Sequence, residues 1–199
     1  MTTPIITALV CSARRRGIAY ELADYCLSRL REGEYRRTRL LNFFEYDIQA
    51  CQHCDYECLD DRPACPRGRD DVAWLWEYTR RSDAVLWAVP VYAAAPPALW
   101  LAFMQRTEHL RRQVPPRRIP LAVLCIASRG GEAGEAAQML RRQAAEPWWE
   151  LVDFACFDSG GLAFSAGLGG PVATPAVRQR LDRTAAALLA ALAGSERPR

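Results

Sequence analysis

Apolar runs of strand length alternate with stretches of helical period along this chain. The runs at 5–10, 84–89, 121–126 and 151–157 are rich in aliphatic, β-branched and aromatic residues. Such runs suit strands buried on both faces, as in a parallel sheet covered by helices. Residues 35–43 form a more polar run, and Arg36, Arg37 and Arg39 within it predict an edge strand. Between the runs, apolar residues recur at helical spacing: Ile18, Leu22, Cys26 and Leu30; Trp74, Leu75 and Tyr78; Leu99, Phe103 and Leu110; Met139 and Leu140; Val177, Leu181, Leu188 and Leu192. Strand and helix thus alternate five times, which predicts an α/β fold of three layers, a single parallel sheet wound on both faces by helices.

Local signals place the ends of these elements. Pro90 lacks the N–H that would extend a ladder, so the central strand ends there. Pro96 and Pro97 suit a first helical turn. Asp70 and Asp71 predict a cap that complements the positive end of the next helix, and Thr174 before Pro175 caps the last one. Pro115, Pro116 and Pro120 predict a surface turn. Residues 159–171 are glycine-rich and predict a loop, and 195–199 a polar tail. Trp74 and Tyr78 read as core, and so do Trp100, Trp148 and Trp149, with subunit contact as the alternative for these three. Cys125 and Cys156 lie inside apolar strands and read as inert core thiols. His109, near a helix end, reads as a partner of the helix dipole.

Composition narrows the class. The length of 199 residues suits a single domain, 1–199, whose core needs no staples. Every basic residue is arginine, and a net charge of +3 is too small to argue for nucleic acid. No run reaches transmembrane length, and Met1-Thr-Thr-Pro4 lacks the charged start of a signal peptide. Eight cysteines in that setting predict reduced thiols or metal ligands and a cytoplasmic location rather than disulfides. Gly-x-Ser-x-Gly, Walker A and His-Glu-x-x-His patterns are all missing, which argues against those hydrolase and nucleotide-binding classes.

The candidate chemistry gathers where strands end, because ligands of open α/β sheets bind at the carboxyl edge. After the first strand, Cys11-Ser-Ala-Arg-Arg-Arg-Gly17 leads into a helix, a place where backbone N–H groups, a hydroxyl and the helix N-terminus face an anion. The central strand ends in Pro90-Val91-Tyr92, followed by Ala93, Ala94 and Ala95. The fourth strand opens into Ser128-Arg129-Gly130-Gly131, where glycine lets backbone approach a ligand closely. Between the second strand and the next helix, an insert at about 45–70 holds Cys51, Cys54, Cys58 and Cys65 within fifteen residues. Thiolates at such spacing converge on one soft centre, an iron–sulfur cluster or zinc with His53 as a further ligand; free or redox thiols are the third reading.

These features together resemble the flavodoxin-like NAD(P)H-dependent FMN reductases and iron–sulfur flavoproteins. The family's first loop runs Gly-Ser-Pro-Arg, two variable residues, Gly-Asn-Thr. Ser12, Arg14 and Gly17 match it, Cys11-Ser12 stands for Gly-Ser, and Ile18-Ala19 replaces the Asn-Thr pair. The Pro-Val-Tyr stretch and its helix match as well, with Gln105-Arg106 in place of the family's Asp-Arg. The cysteine insert matches in position, with one extra residue between its second and third thiols. The resemblance implies a five-stranded sheet in the order 2-1-3-4-5 and an FMN phosphate on Ser12, Arg14, Gly17, Ile18 and Ala19. It puts the flavin ring against Pro90, Val91, Tyr92, Ala93 and Ala94 and against Ser128, Arg129, Gly130 and Gly131. It also implies NAD(P)H as reductant, an unidentified acceptor, a possible [4Fe–4S] cluster on the four cysteines, and a homodimer or larger assembly. Two other functions stay open at this point: a non-enzymatic flavin and iron–sulfur electron carrier, and a degenerate binding domain with structural zinc.

Overall fold

Five strands, β1 (Ile5–Val10), β2 (Arg37–Asn42), β3 (Ala84–Pro90), β4 (Ile119–Ala127) and β5 (Trp149–Asp158), pair in parallel in the order β2-β1-β3-β4-β5. The computed structural model describes residues 3–32, 37–52, 54–55, 57–59, 65, 69–127, 133–158, 172 and 174–194. β3 and β4 are buried along their whole length, as continuous apolar runs demand of inner strands. β2 is an edge strand, as its arginines predict. Pro120 departs from expectation, since it lies inside β4 rather than in a turn.

Helices cover both faces. α1 (Ile18–Arg31) and α6 (Pro175–Gly194) set Leu22, Leu27, Leu181 and Leu188 against Ile6, Ala8, Leu86 and Leu124. α2 (Val72–Arg80), α3 (Ala98–Arg106) and α5 (Ala133–Ala144) cover the other face, where Leu75, Trp76, Phe103 and Leu140 meet Leu9, Val85, Trp87 and Val123. Trp87, Trp100, Trp149 and Trp76 are all but fully buried here, and Trp148 is buried too, so none of the three tryptophans read as core or contact is left for a partner. Trp87 packs edge-on at 4.7 Å from Trp100 and 5.2 Å from Trp149, a preferred aromatic geometry. Trp74 is the exception: it is 41% exposed and stacks with Tyr46 and Tyr78 on the surface. No helix among the described residues is long and apolar enough to cross a membrane.

The helix expected to run from Leu99 through Leu110 breaks at Thr107, whose hydroxyl donates to the Phe103 carbonyl at 2.7 Å. A short α4 (Glu108–Arg111) follows. His109 sits buried in it: burial pushes its pKa below the ordinary imidazole value, and the charge of Arg106 adds to that, against the opposing effect of its hydrogen bond to the backbone of Arg106 at the end of α3. The unfolded chain therefore takes up its proton at a higher pH than the folded one. Stability from this residue is present above the unfolded value and falls as pH drops through it. We expect acid destabilisation to begin near pH ~6.5, and His109→Gln to flatten that part of a stability-versus-pH curve from urea unfolding. An unchanged slope would reject the assignment.

Candidate functional site

Loops following β1 and β3 leave the sheet side by side, because Val10 is paired with Ala88 and the Cys11 N–H continues the ladder to the Ala88 carbonyl at 3.0 Å. This is the switch point of the sheet: the chain steps from β1 outward to β2, then returns across β1 to β3. In open sheets of this kind, ligands bind in the crevice outside the carboxyl ends of the strands at such a switch point.

The first wall is the loop 11–17. Ser12 is buried, and its oxygen accepts the Arg14 N–H at 3.1 Å, a bond that does not use the hydroxyl hydrogen. Buried Asn42, the last residue of β2, donates through Nδ2 to the carbonyls of Arg14 (3.3 Å) and Arg15 (2.7 Å). In a trans peptide the C=O and the following N–H point oppositely, so holding these carbonyls inward turns the N–H groups of Arg15 and Arg16 to the outside of the loop. Arg15 and Arg16 are exposed and lie over the rings of Phe44 and Tyr20. Gly17 then starts α1 without any side-chain cap. A fourteen-residue helix thus presents its positive end and first-turn N–H groups, those of Ile18 and Ala19 among them, uncapped. Gly17 is buried, yet a Cβ added there would meet only the Arg14 side chain, at 3.9 Å. Room, donors and positive potential coincide, which fits an anion such as a phosphate. Asn42 was not singled out from sequence; a buried amide at a strand end beside an arginine loop is the signal that marks it.

The second wall begins at Pro90. The Val91 N–H donates to the Ile126 carbonyl at 2.7 Å, and Tyr92 and Ala95 exchange backbone hydrogen bonds of 2.9 and 3.0 Å. The two residues between them, Ala93 and Ala94, adopt left-handed φ of 48° and 60°. Left-handed alanine costs roughly 1–2 kcal/mol, and such strain gathers at functional sites. Tyr92 is 39% exposed on this tight reversal. Replacing both alanines by glycine should raise stability by roughly 1 kcal/mol after the entropy cost of glycine, read as a higher urea midpoint. A lower midpoint would contradict the strain. The third predicted wall, Ser128, Arg129, Gly130 and Gly131, lies outside the described residues.

The cysteine insert follows β2. The side chain of Asp70 does little capping, with one weak bond from the Val72 N–H at 3.3 Å. Its main partner is Arg106, in a pair whose side chains are 1% and 3% exposed. Arg106 also donates to Cys65 Sγ and to the Gln49 carbonyl, both at 3.2 Å, and so pins the insert to the end of α3. Burial raises the Cys58 thiol, and the neighbouring Cys54, Cys51 and Cys65 raise it further. Among the described residues no three His, Cys, Asp or Glu side chains gather as a metal ion requires. Cys156 is also not the core thiol expected; it is exposed on edge strand β5 and stands beside buried Cys125.

Comparison with known proteins finds the same fold. An NADH:FMN oxidoreductase solved in its apo form is 17% identical with a TM-score of 0.70, over 98% of this chain and 92% of that one. The flavoenzyme NAD(P)H:(acceptor) oxidoreductase from Paracoccus denitrificans is 17% identical with a TM-score of 0.59, over 96% and 97%. An FMN-dependent NADH-azoreductase from Bacillus anthracis, solved with FMN, is 11% identical with a TM-score of 0.63, over 94% and 99%. At these identities the likeness is one of fold. No curated protein matches the sequence. The family model for NADPH-dependent FMN reductase matches residues 4–153, three quarters of the length, including both loops that follow β1 and β3, and the chain therefore belongs to that family of oxidoreductases.

Proposed function

We propose that the crevice between β1 and β3 holds FMN, and that the protein passes reducing equivalents from NAD(P)H to a small acceptor. The observation that carries this reading is the uncapped start of α1 beside a loop whose N–H groups are aimed by Asn42. The phosphate falls to Ser12, Arg14, Gly17, Ile18 and Ala19. Backbone donors and the arginine charge replace the hydroxyl and amide side chains that Ile18 and Ala19 do not supply. The ring is assigned to Pro90, Val91, Tyr92, Ala93 and Ala94, with Ser128, Arg129, Gly130 and Gly131 on the far side. The flavin supplies the hydride chemistry when bound; the chain supplies binding, orientation and electrostatics. Tyr92 acts as a positioning group on its rigid turn. The proposal includes a homodimer, checked by solution mass with FMN bound.

The test is reconstitution. Protein mixed with FMN and passed through a desalting column should keep the flavin and oxidise NADH or NADPH in its presence. Protein that does neither would defeat the proposal. A second reading, an electron carrier using a cluster on Cys51, Cys54, Cys58 and Cys65, is supported by the spacing of these thiols. Stoichiometric iron after anaerobic purification, with poor oxidation of free NAD(P)H, would favour it.

A further inference from the structure

The pairing of β4 with β5 contains an irregularity that brings two thiols together. Leu121 is paired with Leu151 but Ala122 with Asp153, so Val152 is an extra residue in β5. Val152 packs on the α6 face, and Asp153 also points there, bound by Arg180 and Thr184 of α6. Alternation resumes one step out of phase, with Phe154 on the α5 face and Ala155 on the α6 face. Such bulges re-aim side chains. Here the phase change turns Cys156 to the α5 face, which is the face of Cys125, its register partner in β4. The pairing sets the two residues directly opposite each other on neighbouring strands. Cys125 is buried and Cys156 is exposed. On the same face the Arg141 guanidinium stacks over Phe154 at 3.8 Å from the ring centre.

We propose that Cys125 and Cys156 are a redox-active pair: Cys156 is oxidised by a hydroperoxide and then closes a cross-strand disulfide with Cys125. Directly paired residues on neighbouring strands have backbones about 5 Å apart, inside the range that a disulfide spans. The exposed member meets the oxidant while the buried member resolves it, the division of labour seen in thiol redox sites. The neighbouring Cys125 thiol lowers the Cys156 pKa below the ordinary thiol value against the opposing effect of burial, helped by Arg141 and Arg180. Cys125 is correspondingly raised, first by its interaction with Cys156 and then by burial, and so stays protonated until it attacks.

In the first step the Cys156 thiolate attacks one peroxide oxygen. An S–O bond forms as the O–O bond breaks, and the departing hydroxide or alkoxide takes a proton from water. In the second, the Cys125 sulfur attacks Cys156, the S–S bond forms, the S–O bond breaks, and water leaves with the Cys125 proton. Two thiols thereby give up two electrons, and one peroxide is reduced to water and an alcohol, or to two waters. An external dithiol reverses the change.

The experiment uses the unsubstituted chain, treated with a stoichiometric amount of hydrogen peroxide, alkylated and digested. A peptide pair joined through Cys125 and Cys156, lost on adding dithiothreitol, is the expected product. Cys156 left fully alkylatable, or oxidised without any link to Cys125, overturns the proposal. Before oxidation, iodoacetamide near pH ~6.5 should modify Cys156 roughly tenfold or more faster than exposed Cys51, and equal rates also overturn it. In Cys125→Ser, peroxide should leave a sulfenic acid on Cys156 that dimedone traps; a variant in which dimedone labels other cysteines and not Cys156 counts against the pair. None of these readouts requires bound flavin.

Discussion

Arg106→Met is expected to lower stability by about 3–5 kcal/mol, the usual cost of breaking a buried ion pair from one side. The loss comes less from the attraction removed than from the charge left behind. The Asp70 side chain is 1% exposed and would keep a carboxylate with, among the described residues, only the N–H groups of Gln49 and Val72 to face it. Arg106 itself carries its charge at a cost: burial opposes it, and the bonds to Asp70 and Cys65 more than offset that, leaving its pKa above the ordinary guanidinium value. For a chain of this size the change should appear as a fall of roughly 6–20 °C in Tm. The segment that Arg106 holds through Cys65 Sγ and the Gln49 carbonyl should loosen as well, so Cys65 should react faster with a thiol reagent. Arg106→Met combined with Asp70→Leu removes both charges and should recover part of the loss, though not the two backbone bonds that Asp70 accepts. A single variant within 1 kcal/mol of the unsubstituted protein would show that the pair is no anchor.

Gly17→Asp should separate the flavin site from the stability of the fold. Gly17 has φ −167° and ψ −178°, extended values that any residue adopts, and a new Cβ would make only ordinary contact with Arg14. Aspartate is a favoured N-cap, so stability should hold or rise by a few tenths of a kcal/mol. The same carboxylate would occupy the mouth of the anion site, use the first-turn N–H groups and repel a phosphate. Like charges 4 Å apart near a protein surface repel by about 4 kcal/mol. The expected result is FMN affinity weakened by roughly a hundredfold or more, with an unchanged or higher Tm for the flavin-free protein. Flavin fluorescence titration reads the first and thermal unfolding the second. Undiminished affinity would move the phosphate away from this loop, and a large loss of Tm would mean that Gly17 serves the fold.

The layered architecture was readable from hydrophobic period because β3 and β4 are buried on both faces and so admit only apolar residues over their full length. Arginines on β2 marked an edge for the complementary reason, that an outer strand tolerates charge. The site was legible where chemistry is local: a hydroxyl, an arginine run and a glycine leading into a helix need no distant partner to read as an anion loop.

Groups far apart in sequence were decided by tertiary structure alone. Asn42 shapes the loop from 27 residues away, and Asp70 meets Arg106 across 36, so neither neighbourhood reveals its partner. Cys51, Cys54, Cys58 and Cys65 are regularly spaced in sequence, yet convergence on one centre is a property of three-dimensional placement that spacing alone does not give. Cys156 shows the same division most plainly. Its apolar neighbours Phe154, Ala155 and Phe157 are those of a core residue, but an apolar run does not say whether its strand lies at the centre or the edge of the sheet, nor where an extra residue reverses the alternation. Strand order put β5 at the edge, the bulge at Val152 turned the thiol beside Cys125, and those two facts made an inert position an exposed one. The sequence by itself determined which segments are strands and helices, because burial and turn geometry act on neighbouring residues. The packing of those elements determined which side chains meet.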